Sequence, residues 1–149
     1  MKILVDADGC PVRKIVVNIA KTEEIPLLIV SNLHHHIEED YGEHLRVDDS
    51  VDEADHAIIS RTQKADLVIT QDYGLAALAL SKGAYVLHQD GWFYTNETID
   101  GLLMKRYLGQ KMRKRNKRLS VIPKRTQVQN TNFEKALKMF IDKTKTMRD

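Results

Sequence analysis

Short apolar segments alternate with amphipathic segments along the first 90 positions of the chain, and this alternation strongly constrains the fold. Val, Ile and Leu dominate the short segments, which is typical of buried strands, while the longer segments repeat apolar residues every three or four positions. Strands that alternate with helices favour a parallel sheet covered by helices on both faces. We therefore predict a three-layer α/β fold with strands at 3–5, 27–30, 45–47, 67–70 and 84–87, and helices at 12–21, 48–64 and 74–81.

The remaining third of the chain shows a different pattern. No strand is predicted after Gly91, and helical spacing predicts two further helices at 96–107 and 132–145. The basic run at 111–118 between them is expected to be solvated and partly disordered in the absence of a partner. Ser50 is predicted to cap the helix that follows it. The chain has 149 residues, which indicates a single α/β domain over residues 1–149 with a C-terminal helical and basic extension.

Acidic residues follow two of the predicted strands and begin one of the predicted helices. They are Asp6, Asp8, Asp52, Asp55 and Asp72. Because the carboxyl ends of parallel strands meet at one edge of a sheet, we expect these carboxylates to share one pocket. Carboxylate oxygens are the ligands that Mg²⁺ and Mn²⁺ prefer, and a bound metal could support phosphodiester hydrolysis. The competing interpretation is structural, since acids also cap or begin helices for electrostatic reasons.

Four sequence segments carry a resemblance to a known family. The strings ILVDADGCPV, VDEADHAI, ADLVITQDYGLAALAL and DGWFYTNETIDGLL occur in this order within residues 1–108. They closely resemble the YaiI/YqxD family of bacterial proteins, which looks similar to the PIN-like group of metal-dependent ribonucleases. The resemblance implies that Asp6, Asp55 and Asp72 are the catalytic acids that hold Mg²⁺ or Mn²⁺. It makes Asp8 and Asp52 auxiliary ligands.

The C-terminal third departs from that family pattern. Relatives usually carry a Gly-rich segment that ends in Gly-Pro, followed by an Arg a few residues before a Phe. This chain instead has the string RNKRLSVIPKR at 115–125, and Asn132 stands directly before Phe133. The departure puts the function of the family loop in doubt for this chain, but the density of basic residues is retained.

Charge is divided unevenly between the two parts of the chain. Residues 1–100 hold 8 Lys and Arg against 18 Asp and Glu, whereas residues 101–149 hold 15 against 3. A basic segment at 105–125 would bind the phosphates of a nucleic acid, with RNA as the expected partner, in a salt-dependent and largely sequence-independent manner. Its cations are Lys105, Arg106, Lys111, Arg113, Lys114, Arg115, Lys117, Arg118, Lys124 and Arg125. The alternative is a solvated surface without a partner.

Two other functions fit parts of the sequence. The chain could be a non-catalytic nucleic-acid-binding protein in which the acids are structural. Asp6 and Asp8 after an apolar strand also resemble the start of haloacid-dehalogenase-type phosphatases, in which Asp6 would be a covalent nucleophile. The order of the later acids argues against that second interpretation, because Asp48 and Asp49 precede Thr70 instead of following it.

The remaining features indicate the compartment more than the function. Cys10 is the only cysteine, which excludes an intrachain disulfide, and it is interpreted as structural rather than as a reactive thiolate. No apolar run approaches the length of a membrane span, and no signal-peptide pattern precedes the first strand, so a cytoplasmic protein is expected. The run His34-His35-His36, together with His44, is a weaker candidate for transition-metal binding. Substrate, cleavage position and oligomeric state stay open.

Overall fold

The computed structural model describes residues 1–32, 38–48, 50, 52–115 and 124–148, which form a six-stranded sheet and five helices. The strands are β1 (Ile3–Asp6), β2 (Leu27–Asn32), β3 (Glu43–Val47), β4 (Leu67–Ile69), β5 (Tyr85–Leu87) and β6 (Phe93–Tyr94). The helices are α1 (Arg13–Thr22), α2 (Glu53–Arg61), α3 (Tyr73–Ser81), α4 (Asn96–Arg115) and α5 (Gln127–Arg148). The histidine run at 34–36, Lys117 and Arg118 lie outside the described residues. Among the described helices, none is long and apolar enough to cross a membrane.

The order of the strands places β1 and β4 side by side at the centre of the sheet. The order is β3-β2-β1-β4-β5-β6, and β1 to β5 pair in parallel. The chain builds outward from β1 through β2 to β3, then returns to the other side of β1 with β4. This reversal is a topological switch point, where open α/β sheets form a ligand-binding crevice. The predicted largely parallel α/β sheet is confirmed.

Helices cover both faces of the sheet because the side chains of the strands alternate between two apolar cores. Ile3 and Val5 of β1 pack in the core that α1 and α5 complete, together with the fully buried Phe133 and Leu137 of α5. Leu4 belongs to the opposite core, which α2, α3 and α4 cover. Burial of such side chains stabilises the fold by roughly 1.5–3 kcal/mol each. The predicted three-layer arrangement is therefore present.

The sheet continues one strand beyond the prediction. The statement that strands cease after Gly91 is wrong, because Phe93 and Tyr94 form β6, which pairs antiparallel with β5. A tight turn reverses the chain between the two strands. In it the backbone N–H of Gly91 donates to the carbonyl of His88 at 3.0 Å, and the N–H of His88 donates to the carbonyl of Trp92 at 2.8 Å. A strand of two residues is too short for alternating polarity to reveal it.

Three helix boundaries also differ from the prediction. Helix α2 begins at Glu53, and the proposed cap Ser50 is wrong: the N-cap is Asp52, in a left-handed conformation with φ 71° and without a side-chain capping hydrogen bond. Helix α4 extends to Arg115, so the basic residues at 111–115 are helical where partial disorder was predicted, because Lys, Arg, Gln and Met are good helix formers. Helix α5 begins at Gln127, five residues before the predicted start.

The start of α5 is fixed to the turn between β5 and β6. The guanidinium of Arg125 donates to Asp90 Oδ1 at 2.5 Å and to Asn130 Oδ1 at 2.8 Å. Gly91 of the same turn lies against α5, and a Cβ built on it would be 2.7 Å from the carbonyl carbon and oxygen of Asn132. Arg125, predicted to bind nucleic acid, is therefore engaged inside the protein.

Candidate active site

The site lies at the switch point, where β1 and β4 end next to each other. Asp6 is the last residue of β1, and Thr70 follows β4 directly. The Thr70 hydroxyl donates a 3.0 Å hydrogen bond to Asp6 Oδ2 and accepts one of 2.9 Å from the backbone N–H of Asp72. Thr70 is buried, so this connection is protected from water. One threonine therefore orients the acidic residues that follow two neighbouring strands.

Asp72 caps helix α3. Its Oδ1 accepts hydrogen bonds from the backbone N–H groups of Gly74 at 2.8 Å and Leu75 at 3.2 Å. A guanidinium nitrogen of Arg106, from α4, lies 3.4 Å from the same oxygen. The capping interpretation is thus correct for Asp72, but it does not exclude a second function. All of these contacts involve Oδ1, and the side chain remains partly exposed.

Asp55 faces the same region from the first turn of α2. It lines a groove of about 430 Å³ together with Asp52, Asp72 and Arg106. The pKa of Asp55 is raised to about 6, first by burial and then by the carboxylates of Asp72 and Asp52, while Arg106 opposes the shift. Three acids from two elements therefore share one groove with a single arginine among its lining residues.

The surroundings of Asp6 disfavour its ionised form. Its pKa is raised to about 6, mainly by burial; the hydrogen bond from Thr70 opposes the shift, and the nearby carboxylates of Asp55, Asp72 and Asp8 add to it. These carboxylates are close enough to repel one another across the end of the sheet. Clusters of this kind are found where an enzyme concentrates charge for chemistry or metal binding, although structural networks also produce them.

Asp8 is held by the neighbouring strand. The backbone N–H of Asn32, at the end of β2, donates to the two carboxylate oxygens of Asp8 at 3.3 and 3.0 Å. The N-cap of α1 is Val12, which makes no side-chain capping hydrogen bond. The competing interpretation of Asp6 or Asp8 as a cap of α1 is therefore wrong, and Asp8 instead ties the loop after β1 to β2.

The carboxylates lie near one another but are not arranged to coordinate a metal ion. Within the described part of the chain, no three Asp, Glu, His or Cys side chains are positioned as a group that could hold a metal ion. The geometry thus brings the predicted acids to one edge of the sheet, and the predicted Mg²⁺ or Mn²⁺ site stays a prediction.

Aromatic residues at the same edge were not recognised in the sequence. The rings of His88 and Trp92 stack at 4.3 Å, and Tyr94 contacts Trp92 edge-to-face at 4.6 Å. The Tyr94 hydroxyl donates to the carbonyl of Thr70 at 3.3 Å. Burial, followed by neighbouring Tyr73 and acids, strongly raises the Tyr94 pKa. The only sign of this aromatic cluster in the sequence is the string DGWFYT. Its last aromatic residue, Tyr94, lies in β6, the strand that was not predicted, and β6 places it beside the end of β4.

The basic segment is divided between two environments. Lys105, Arg106 and Lys111 lie on exposed positions of α4, which also includes the positions of Arg113, Lys114 and Arg115. Lys124 is exposed, in contrast to the internally bound Arg125. Among the cations that the structure describes, most of those predicted to bind nucleic acid therefore belong to α4, whose Arg106 reaches the acidic groove.

Cys10 follows β1 without joining the acidic groove. It is partly buried against the core that contains α1. Burial raises the pKa of its thiol, and the Asp6 carboxylate acts in the same direction against a backbone hydrogen bond from Val12. These surroundings disfavour a thiolate, which supports the structural interpretation of Cys10.

The sequence is similar to a known family over nearly all of its length. Residues 4–143 match the family described as "Uncharacterized BCR, YaiI/YqxD family". A UPF0178 protein of Alkaliphilus oremlandii is 51% identical over 142 residues, covering 95% of this chain and 92% of the relative. The UPF0178 protein of Natranaerobius thermophilus is 47% identical and covers 98% of this chain and 99% of its own length. That of Oceanobacillus iheyensis is 41% identical and covers 96% of this chain and 100% of its own length. No solved structure is significantly similar. The chain belongs to the YaiI/YqxD family.

Proposed function

We propose that this protein is a metal-dependent nuclease that acts on RNA phosphodiesters, with a PIN-like fold. Asp6, Asp55 and Asp72 would hold Mg²⁺ or Mn²⁺, and Asp8 and Asp52 would be auxiliary. The observation that carries the proposal is the convergence of mutually repelling carboxylates at the switch point of the sheet, where burial and neighbouring acids raise the pKa of Asp6 to about 6.

The chemistry of these side chains fits a divalent cation. The donors are carboxylate oxygens, the type that Mg²⁺ and Mn²⁺ prefer, and their charge exceeds that of the one arginine among the lining residues of the groove. A bound divalent ion would polarise a phosphoryl oxygen and lower the pKa of a water molecule. The side chains would have to rotate to bring their oxygens together, since the acids in the described part of the chain do not form a coordinating group as they stand.

The chain's own residues would prepare the site for this reaction. The hydroxyl of Thr70 holds Asp6 in place, and the N-terminal turn of α3 holds Oδ1 of Asp72. Arg106 lies beside Asp72 and carries a charge that attracts phosphate. A carboxylate site with an adjacent guanidinium is suited to a phosphodiester, because the cation offsets the repulsion between the acids and the anionic substrate.

A non-catalytic nucleic-acid-binding function is the second candidate. The exposed cations of α4 favour it, because phosphate binding by them needs no reaction. The phosphatase interpretation is a third possibility, for which a trapped phospho-aspartate at Asp6 would be the decisive result. Metal binding separates the first candidate from the second.

Titration with MnCl₂ in a calorimeter tests the proposed nuclease. We expect saturable binding at millimolar or lower metal, because ionised carboxylates at the switch point gain from neutralisation by the metal. A labelled single-stranded RNA should be cleaved with Mn²⁺ and left intact with EDTA. A DNA strand of the same sequence measures the preference for RNA.

Asp40→Asn is the matched control for this titration. Asp40 pairs with Lys21 near the end of α1, on a different part of the surface from the candidate site. The variant should bind Mn²⁺ and cleave RNA like the wild type. Absence of any saturable Mn²⁺ binding to the wild type at millimolar metal would favour the non-catalytic binding protein.

A further inference from the structure

A second groove continues from the candidate active site along α4. Its volume is about 1070 Å³, and it lies between α4 and the residues that precede and begin α3. Asp72 and Arg106 line both this groove and the acidic groove described above. The two grooves therefore meet at the ion pair between these residues. A polymer bound in the second groove would be led directly to the acids.

The α4 side of this groove is apolar and exposed. Met104, Leu108 and Met112 follow one another at intervals of one helical turn and are 57%, 51% and 56% exposed. Tyr73, the first residue of α3, adds an aromatic ring to the lining. A contiguous exposed apolar stripe of this kind marks a binding surface more often than an isolated exposed residue does.

Two glycines lie on the same face of α4. Gly101 and Gly109 line the groove, and a Cβ at either would meet no atom within 4 Å. Neither has a positive φ. Glycine inside a helix costs about 1 kcal/mol relative to alanine, so packing within the described residues gives no reason for these glycines. Their absence of a side chain leaves room for a ligand to lie close to the backbone of α4.

The charge of α4 indicates what this ligand is. Positions 101–115 contain six Lys and Arg residues and no acid, so the helix as a whole attracts a polyanion. Lys105 and Arg106 border the apolar stripe within the groove. Packing of two copies through α4 would bring like charges together, which disfavours a homodimer on this face.

We propose that the α4 groove binds the unpaired bases of a single-stranded RNA, while Arg106 contacts the phosphate that enters the acidic site. The inference rests on the proposed function and adds the substrate path to it. The faces of the bases lie on Tyr73 and on the stripe of Met104, Leu108 and Met112. These side chains are apolar, and the methionines are also flexible and polarisable, so they can pack against any base. Cations of α4 follow the backbone. Double-stranded RNA keeps its bases stacked and paired, so the groove selects against it.

The test measures RNA affinity without cleavage. A fluorescein-labelled single-stranded RNA of about 12 nucleotides is titrated with the full-length protein in EDTA, and fluorescence anisotropy gives Kd. Leu108→Ser removes part of the apolar stripe, and Gly109→Leu places a side chain in the groove at a position where the added Cβ has no neighbouring atom within 4 Å outside its own helix backbone. We expect each substitution to raise Kd about tenfold, in line with the loss of one base contact.

Two controls separate this effect from general damage to the protein. Met139→Ser removes an exposed methionine of α5 that is 59% exposed and does not line the groove, and Kd should stay unchanged. Gly109→Leu should also keep or raise the melting temperature, since leucine favours the helix. Weaker RNA binding by a protein that is at least as stable cannot be attributed to unfolding.

The outcomes distinguish failure of the groove from failure of the nuclease. Unchanged Kd in both groove variants, or equal affinity of the wild type for duplex RNA, would overturn the groove while leaving the cleavage result unaffected. Loss of binding in the variants, with no cleavage by the wild type in Mn²⁺, would support the groove and reject the nuclease. Conversion of a wild-type dimer to a monomer by Leu108→Ser, measured by sedimentation, would show that a second copy occupies this face and would overturn the proposal.

Discussion

Asp6→Asn is expected to abolish metal-dependent cleavage of RNA and, in the same protein, to raise the free energy of unfolding at neutral pH. Activity should fall by about 10²-fold or more, because the neutral amide oxygen of asparagine is a weaker metal ligand than the ionised carboxylate that it replaces. Stability should rise because the ionised carboxyl of Asp6 is buried among like charges, from Asp55, Asp72 and Asp8. Opposite changes in activity and stability are typical of a residue retained for function.

The sign and the size of the stability change follow from the pKa. The folded state raises the Asp6 pKa from 3.8 to about 6, so it holds the proton more tightly than the unfolded chain does. The contribution of Asp6 to stability therefore falls as pH rises from about 4 to about 6, and the full penalty of about 3 kcal/mol applies above that range. Asparagine keeps an oxygen for the hydroxyl of Thr70, and we expect a net gain of about 1–2 kcal/mol near neutral pH.

Denaturant unfolding in EDTA at neutral pH and near pH 4 measures this change. The gain in Asp6→Asn should be present at neutral pH and much smaller near pH 4, where the carboxyl of the folded wild type is protonated and that of the unfolded chain, with a pKa of 3.8, is about half ionised. Asp66→Asn is the matched control, because Asp66 is buried and paired with Lys2 at 2.7 Å. Despite burial, hydrogen bonds and the charge of Lys2 lower the Asp66 pKa, so this variant should lose stability at neutral pH.

A stability loss in Asp6→Asn at neutral pH would contradict the prediction. It would show that the ionised carboxyl of Asp6 is stabilised by its surroundings and that no other group needs to neutralise it. The acids would then be part of a structural network with Thr70, and the electrostatic argument for a divalent ion would no longer hold.

The sequence predicts the sheet well because each strand carries its own signal. Buried parallel strands are short, continuous apolar runs, and the first five were placed to within a few residues by that pattern. Strand β6 was missed because Phe93 and Tyr94 acquire strand geometry from pairing with β5, which no local pattern records. The conformation of Asp52 and the resulting start of α2 also depend on the chain path and not on helix propensity.

The candidate site shows the same division between local and tertiary information. The topology places Asp6 and Asp72 at one edge, and the order of strands and helices predicts this much. The sequence could not show that Thr70 connects them, or that Asp72 both caps α3 and contacts Arg106. Charge composition also does not show which group each cation contacts. Arg106 reaches the acids from α4, whereas Arg125, in the same basic segment, is held by the turn after β5. Only packing between elements distinguishes these arginines.

Gly91→Ala is expected to be the most destabilising of the small substitutions outside the candidate site. Gly91 has φ +92°, a conformation that a Cβ makes unfavourable by roughly 1–2 kcal/mol. The added methyl would also lie 2.7 Å from the backbone carbonyl of Asn132 and 2.8 Å from the amide nitrogen of Phe133, so α5 would have to shift. Overpacking of this kind typically costs a further 1–3 kcal/mol, and we expect a total loss of about 2–5 kcal/mol.

Thermal unfolding checks this value, with Gly101→Ala as the control. A loss of this size lowers the melting temperature of a chain of 149 residues by about 5–15 °C. Gly101 lies in α4 with nothing within 4 Å of the added methyl, so the same substitution there should raise stability by about 0.5–1 kcal/mol. Because Phe133 is fully buried in the core beneath β1, a shift of α5 would disturb that core as well as the turn. Equal melting temperatures for Gly91→Ala and the wild type would mean that α5 does not pack against the β5–β6 turn in solution.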